Sequence, residues 1–226
     1  LFRSIDYRIV VDGTNTSEQH NINIYLDNVN IKTSVGPALK IDDTVNAKVT
    51  IYLTGTNNLI TTKQFSAGLQ KDNEAQLIIT SASNTSIGTL NARNNSNLAY
   101  GAGIGGGYIQ ASGRENPCIG ANGSNIHISN SSVNAKSTHV AGIGGGYIRV
   151  SGLMNTCSGA NSSYIQISNS SVNAKSTHRD SIGGGYISNV GSKNTCSGAN
   201  SSYIQISGGS VNASLSKSNC PQNTQK

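Results

Sequence analysis

Three segments of this chain superimpose on one another at a constant offset of 39 residues, without a gap. Ile104, Ile143 and Ile182 correspond, as do Ile126, Ile165 and Ile204, then Val133, Val172 and Val211, and Cys118, Cys157 and Cys196. A unit of that size cannot bury an apolar face alone, so the copies must stack, and a fixed period is the mark of a solenoid. Within one copy, "NIHISNSSVNA" sends Ile126 and Ile128 to one side and His127 to the other, then Val133 and Ala135 inward with Asn134 out. This pattern predicts two short strands joined by a polar corner at Asn130, Ser131 and Ser132. The short "AGI" before the glycines supplies a third strand, closing a three-sided coil. The rest of each copy, from Gly-Gly-Gly-Tyr to Gly-Ala-Asn, is expected to leave the coil as a loop of about 15 to 20 residues, a length that usually signals function.

The first hundred residues carry the same rhythm without the long excursion: "HNINIYLDNVNIKT" then "PALKID", and "AKVTIYLTGTNNLITT" then "AGLQKD". Residues 1–100 therefore read as degenerate coils, 101–213 as the three "GIGGGY" repeats continuing the same solenoid, and 214–226 as a tail. The expected architecture is all-β, a three-sided β-solenoid of about six coils, roughly 30 Å tall at the ordinary strand spacing. Parallel strands joined by crossovers are right-handed almost without exception, so the predicted fold is a right-handed parallel β-helix.

Composition narrows the function. Only 35% of residues are hydrophobic, with no Trp and two Phe, while 26 are Gly and 12% charged. No stretch has helical apolar periodicity, and the strict alternation of Ile and Val opposes disorder. The net charge of +6 would suit acidic polysaccharide, anionic membrane or nucleic acid. The basic residues are spread singly, with no interleaved aromatic platform, so no nucleic-acid partner is expected. No apolar run is long enough to span a membrane. The chain opens at Leu1 with no initiator Met, as a processed chain or a fragment would. "YGAGIGGGY" contains the G-x-G-x-x-G spacing of a dinucleotide turn at Gly101, Gly103 and Gly106. No helical pattern or ribose-binding acid follows, and the later copies lose the first glycine, so the glycines are structural and no cofactor is expected.

The stretches "VTIYLTGTNNLI", "AGLQKD" and "SIGTLNA" resemble carbohydrate-binding right-handed β-helix domains of bacterial surface proteins. "GAGIGGG" followed by I-x-I-S-x-x-x-V-x-A is similar to the repeats of large surface proteins of bacteria and protists. The resemblance implies a cell-surface β-helix with affinity for polysaccharide. This chain departs from it in lacking the acidic clusters that would hold calcium, so no metal site is expected.

Pectin-degrading β-helices use converging carboxylates. Beyond Gly101 the acids are Glu115 and Asp180, unmatched between copies, and the best candidate pair is Asp42 or Asp43 beside Asp72. That pair would serve as an acid/base or calcium site, but solvated corner carboxylates beside a turn explain these acids better, and the chain reads as non-enzymatic. His139 and His178 repeat in "KSTH" without a third counterpart and suggest no catalysis. Tyr108, Tyr147 and Tyr186 form one ladder and Tyr164 and Tyr203 another. They either cover the junction of loop and coil or receive sugar rings. Sequons at Asn130 and Asn169 fall on the polar corner and are the expected glycan carriers, whereas Asn122, Asn161 and Asn200 would crowd and are expected to form an internal ladder or to be only partly occupied. With 29 Asn in the chain, the sequons, including Asn15, Asn84, Asn94 and Asn212, permit glycosylation without demanding it. Coil stacking brings successive repeat cysteines within disulfide reach. Cys118 with Cys157 and Cys196 with Cys220 are the expected pairs, against Cys157 with Cys196 and Cys118 with the tail. Neither terminus reads as a solenoid cap, so self-association through open ends is expected. The functional expectation is a non-catalytic extracellular solenoid, structural or adhesive and able to stack into fibres, with a cell-surface carbohydrate-binding module as the alternative.

Overall fold

The computed structural model describes residues 7–13 and 20–213. The tail, with Cys220, and Asn15 lie outside the described residues. The protein is all-β, and every ladder between its strands is parallel. The first face is one six-stranded sheet, Ile9–Val11, Leu39–Ile41, Leu69–Lys71, Ile104–Gly105, Ile143–Gly144 and Ile182–Gly183 in that order, one strand from each coil. The second face stacks His20–Asp27, Ala47–Thr54, Gln76–Ser81 and Ile126–Ser129, and the third Asn30–Thr33, Thr56–Thr61, Thr89–Asn94 and Ser132–Lys136. In the last two coils one continuous strand, Ser162–Lys175 and then Ser201–Asn212, serves both faces. This is a right-handed parallel β-helix of six coils.

Alternation explains the core. Leu77, Ile126 and Ile165 stack in register, as do Ile79, Ile128 and Ile167, each at most 1% exposed. Burying such a side chain contributes about 1.5–3 kcal/mol. Between the second and third faces the backbone must bend sharply, and Asn28, Gly55, Asn130, Asn169 and Gly208 meet that demand with φ between 44° and 68°. Asn is the side chain that tolerates the left-handed region best after Gly. The corner is tighter than its sequence suggests, since Ser131 is buried and Ser132 already belongs to the next strand.

The long loops are the main departure from expectation. Each excursion is built of strands: Tyr108–Ala111, Tyr147–Leu153 and Tyr186–Ser192 form one parallel sheet, and Pro117–Gly120, Thr156–Gly159 and Thr195–Gly198 another. An isolated loop would leave its backbone groups to water, but three copies at one period satisfy each other's N–H and C=O groups rung by rung. The sheets form an arm on coils four to six with its own small core, including Ile148, Val150, Cys157 and Ile187. The arm tip turns at Glu115, Met154 and Lys193, all at positive φ. Tip amides cross-link the coils, because Asn155 Oδ1 accepts the Asn116 N–H and Asn194 Oδ1 the Asn155 N–H, both at 2.8 Å.

Among the described residues no helix is long and apolar enough to cross a membrane.

Candidate functional site

Where the arm leaves the first face, the rings of the expected tyrosine ladder meet. Tyr108 stacks on Tyr147 with centroids 5.6 Å apart, and Tyr147 meets Tyr186 edge-on at 5.3 Å. Phe65 covers the far side of Tyr108 at 4.3 Å, and the Arg179 guanidinium lies 3.8 Å from the Tyr186 centroid. Tyr100 leans on Tyr147 at 4.6 Å and on His139 at 5.1 Å, and His139 stacks on His178 at 4.5 Å. The ladder is thus a column closed at both ends, which ties the corner loops of the coil to the arm. Sugar rings stack on ring faces, and here Tyr108 already stacks with Phe65 and Tyr147 while Arg179 lies over the Tyr186 ring. The Tyr108 hydroxyl donates to Gln110 Oε1 at 2.8 Å. Sequence reading missed Phe65, Tyr100 and Arg179, because residue identity is not repeated at their positions: Tyr100 is one period before His139, Phe65 aligns with Tyr100 through the register of Leu69 with Ile104, and Arg179 takes the place of Val140. Tyr164 and Tyr203 stack nearly parallel at 5.0 Å and are 55% and 73% exposed, so this second ladder leaves more ring surface open than the first.

The candidate acids are structurally engaged. Register pairs Lys40 with Gln70 and Ile41 with Lys71, which aligns Asp42 with Asp72 one coil on. Asp42 Oδ2 accepts from Lys40 Nζ at 2.6 Å, and this hydrogen bond holds the carboxyl below its ordinary range. Asp72 accepts the Gly107 N–H at 2.6 Å and the Gln70 amide at 2.7 Å, at the root of the arm. Asp43 is exposed beside them. Among the described residues no group of three or more His, Cys, Asp or Glu is placed to hold a metal ion.

Lys71 was invisible as a special residue, yet it occupies the core position of Ile41 and is fully buried. Its ammonium donates to the carbonyls of Asn73 at 2.6 Å and Ser124 at 2.7 Å. Burial pushes its pKa down to about 8 from an ordinary 10.5, against the opposing pull of Glu74 and Asp72. Burial likewise pushes Asp72 up to about 6 from 3.8, although its hydrogen bonds from Gly107 and Gln70 oppose this. These shifts set a pH profile. Between pH 8 and 10.5 the unfolded chain binds more protons at Lys71 than the folded one, so stability rises with pH by about 3 kcal/mol. Between pH 3.8 and 6 the folded chain binds more protons at Asp72, so stability falls as pH rises. Urea unfolding across pH is expected to show a stability minimum between these windows. Lys71→Met should flatten the alkaline limb and Asp72→Asn the acid limb. A flat wild-type profile would contradict both assignments.

Cys118 and Cys157 are register partners on adjacent coils, with Cα atoms 4.5 Å apart, and are joined by a disulfide in the arm core. Cys196 is also disulfide-bonded, and no described cysteine is free. Its expected partner, Cys220, lies outside the described residues. Asn122 Oδ1 accepts the Asn161 N–H at 3.1 Å and Asn161 Oδ1 the Asn200 N–H at 3.2 Å, so these asparagines do form a ladder along the arm's return. At the corner Asn169 is exposed and Asn130 half-buried.

The repeat geometry also bears on likeness to known proteins. A family model described as a beta helix repeat matches residues 86–108 and 126–147. Both matched segments run along the third face and across the first into the opening tyrosine of the arm, so the match follows the coil itself. No curated protein and no solved structure matches the chain.

Proposed function

We propose that the chain is an extracellular, non-catalytic β-solenoid whose flat outer faces serve as an adhesive or structural surface. The observation that carries this reading is a row of asparagines on the third face. Asn30, Asn58, Asn91, Asn134, Asn173 and Asn212 stand in register on all six coils. Asn91 Nδ2 donates to Asn58 Oδ1 and Asn134 Nδ2 to Asn91 Oδ1, both at 2.9 Å, and Asn212 Nδ2 to Asn173 Oδ1 at 3.4 Å. A face with one asparagine per coil suits a repeating polymer, and the candidate acids Asp42 and Asp72 are held by hydrogen bonds from Lys40, Gly107 and Gln70. The bond between Cys118 and Cys157 supports an oxidising compartment. In a glycosylating host, Asn169 and Asn130 are the sites offered at the corner, whereas Asn122 and Asn161 are committed to the ladder. Peptide mass mapping of secreted protein is expected to find glycan at Asn169 and none at Asn161.

Stacking into fibres has its own support. Among the described residues Ser201–Asn212 pairs along one edge, and on that coil Tyr203 and Ile206 are exposed. A glycan array together with light scattering and negative-stain imaging tests the whole reading. Binding to glycans or to itself is expected, and release of reducing ends from any bound polysaccharide would overturn the non-catalytic assignment.

A further inference from the structure

Two residues beyond the asparagine row, on the same outward side of the third face, the register stacks Arg93, Lys136 and Lys175 on successive coils. Adjacent coils are about 4.8 Å apart, and like charges held directly opposite one another in a sheet are destabilising. Among the described residues nothing acidic on the face relieves them. Residues 75–114 and 116–179 contain no Asp or Glu, and the one acid between them, Glu115, pairs with Arg114 at the arm tip. The asymmetry is global: residues 75–226 carry nine Lys or Arg against two Asp or Glu, and residues 1–74 seven against eight. The three cations and the amides of Asn134 and Asn173 line a shared groove of about 350 Å³. Asn134 has a second N–H beyond the one it donates to Asn91, and Asn173 takes part in the ladder through its Oδ1, so the groove presents a line of cations flanked by a line of neutral donors.

We propose that this groove binds a linear anionic polysaccharide lying along the solenoid axis, its sulfate or carboxylate groups on Arg93, Lys136 and Lys175 and its hydroxyls on the asparagine amides. The coil spacing delivers one cation per rung, which matches a polymer with regularly placed charge and would be superfluous for a single small anion. Single-stranded nucleic acid is the poorer fit, because its bases need aromatic platforms and this stretch of the face offers Asn, Arg and Lys. The proposal rests on the adhesive reading and names its ligand class.

The test titrates the full-length oxidised chain with heparin oligosaccharide, with oligogalacturonate, with a neutral cello-oligosaccharide and with an oligo-dT strand, over a range of salt. The two anionic sugars distinguish sulfate from carboxylate as the anchoring group. Lys136→Gln/Lys175→Gln is expected to weaken the preferred anionic sugar at least tenfold and to reduce the dependence of log affinity on log salt by about 1.4, taking roughly 0.7 per neutralised charge. Arg149→Gln/Lys193→Gln removes the same charge from the arm and should change affinity less than twofold. Equal losses in both variants would reduce the effect to bulk charge and overturn the site. Equal binding of oligo-dT would overturn the polysaccharide assignment. A chain that binds neutral but not anionic sugar overturns this inference and leaves the adhesive reading standing, and one that binds neither sugar, cells nor itself overturns both.

Discussion

Gly145→Ala is expected to destabilise the last three coils by more than about 3 kcal/mol, an effect confined to the few mechanisms that force backbone apart. A Cβ at Gly145 would lie 2.1 Å from the Ala160 carbonyl oxygen and 2.5 Å from the Gly185 nitrogen. Those two atoms are hydrogen-bonded to each other at 2.7 Å, so the methyl group would occupy the bond that closes the neck of the arm. One coil below, a Cβ at Gly106 would meet Ala121 O at 2.0 Å and Gly146 N at 2.5 Å, and these again are bonded, at 2.8 Å. Backbone on both sides leaves no flexible group to yield. The first glycine of each triplet has a different task, since Gly105, Gly144 and Gly183 adopt φ of 125°, 134° and 146°. Urea titration followed by tyrosine fluorescence, with limited proteolysis to locate the opened segment, measures the loss. An alanine variant within 0.5 kcal/mol of wild type would show that the neck bond contributes nothing.

The coil was legible because its information is periodic. Ile126, Ile165 and Ile204 announce one register, and the offset of 39 residues between the repeat cysteines places them on neighbouring rungs. The arm was illegible for a related reason. "YIRVSGLMNTCSGA" alternates too briefly for a strand assignment by itself, and its pairing partners are its own copies rather than any local neighbour. Its small core of Ala, Cys, Ile and Val exists only once three copies are stacked. Lys71 escaped notice because a lysine ending "GLQK" reads as a solvated strand end, and only register with Ile41 shows it turned inward. The tyrosines were found, but the orientation of their faces depends on Phe65 and Arg179, which no spacing rule connects to them. In the third face the asparagine row was within reach of the sequence, since Asn134 points outward in the repeat. Its extension back to Asn30 needed the degenerate coils to be aligned residue by residue.

Replacing Cys118 and Cys157 together by Ser is expected to lower the melting temperature by about 8–16 °C. The bond closes a segment of 39 residues, for which the chain-entropy model gives about 4 kcal/mol, and 1 kcal/mol corresponds to roughly 2–4 °C in a chain of this size. Two further features raise the cost. Both cysteines are buried, at 7% and 1% exposure, so hydroxyls would enter the arm core without partners. The arm core is also thin, and it lacks the long aliphatic columns that hold the coil. Loss should therefore begin in the arm: amide exchange should accelerate first in Tyr147–Leu153 and Thr156–Gly159, while the first face around Leu39 and Leu69 stays protected. Cys118→Ala/Cys157→Ala separates the causes, because it removes the cross-link without burying hydroxyls and should recover part of the loss. Melting temperatures within 2 °C for oxidised wild type and both variants would mean that parallel stacking alone sets the arm's stability.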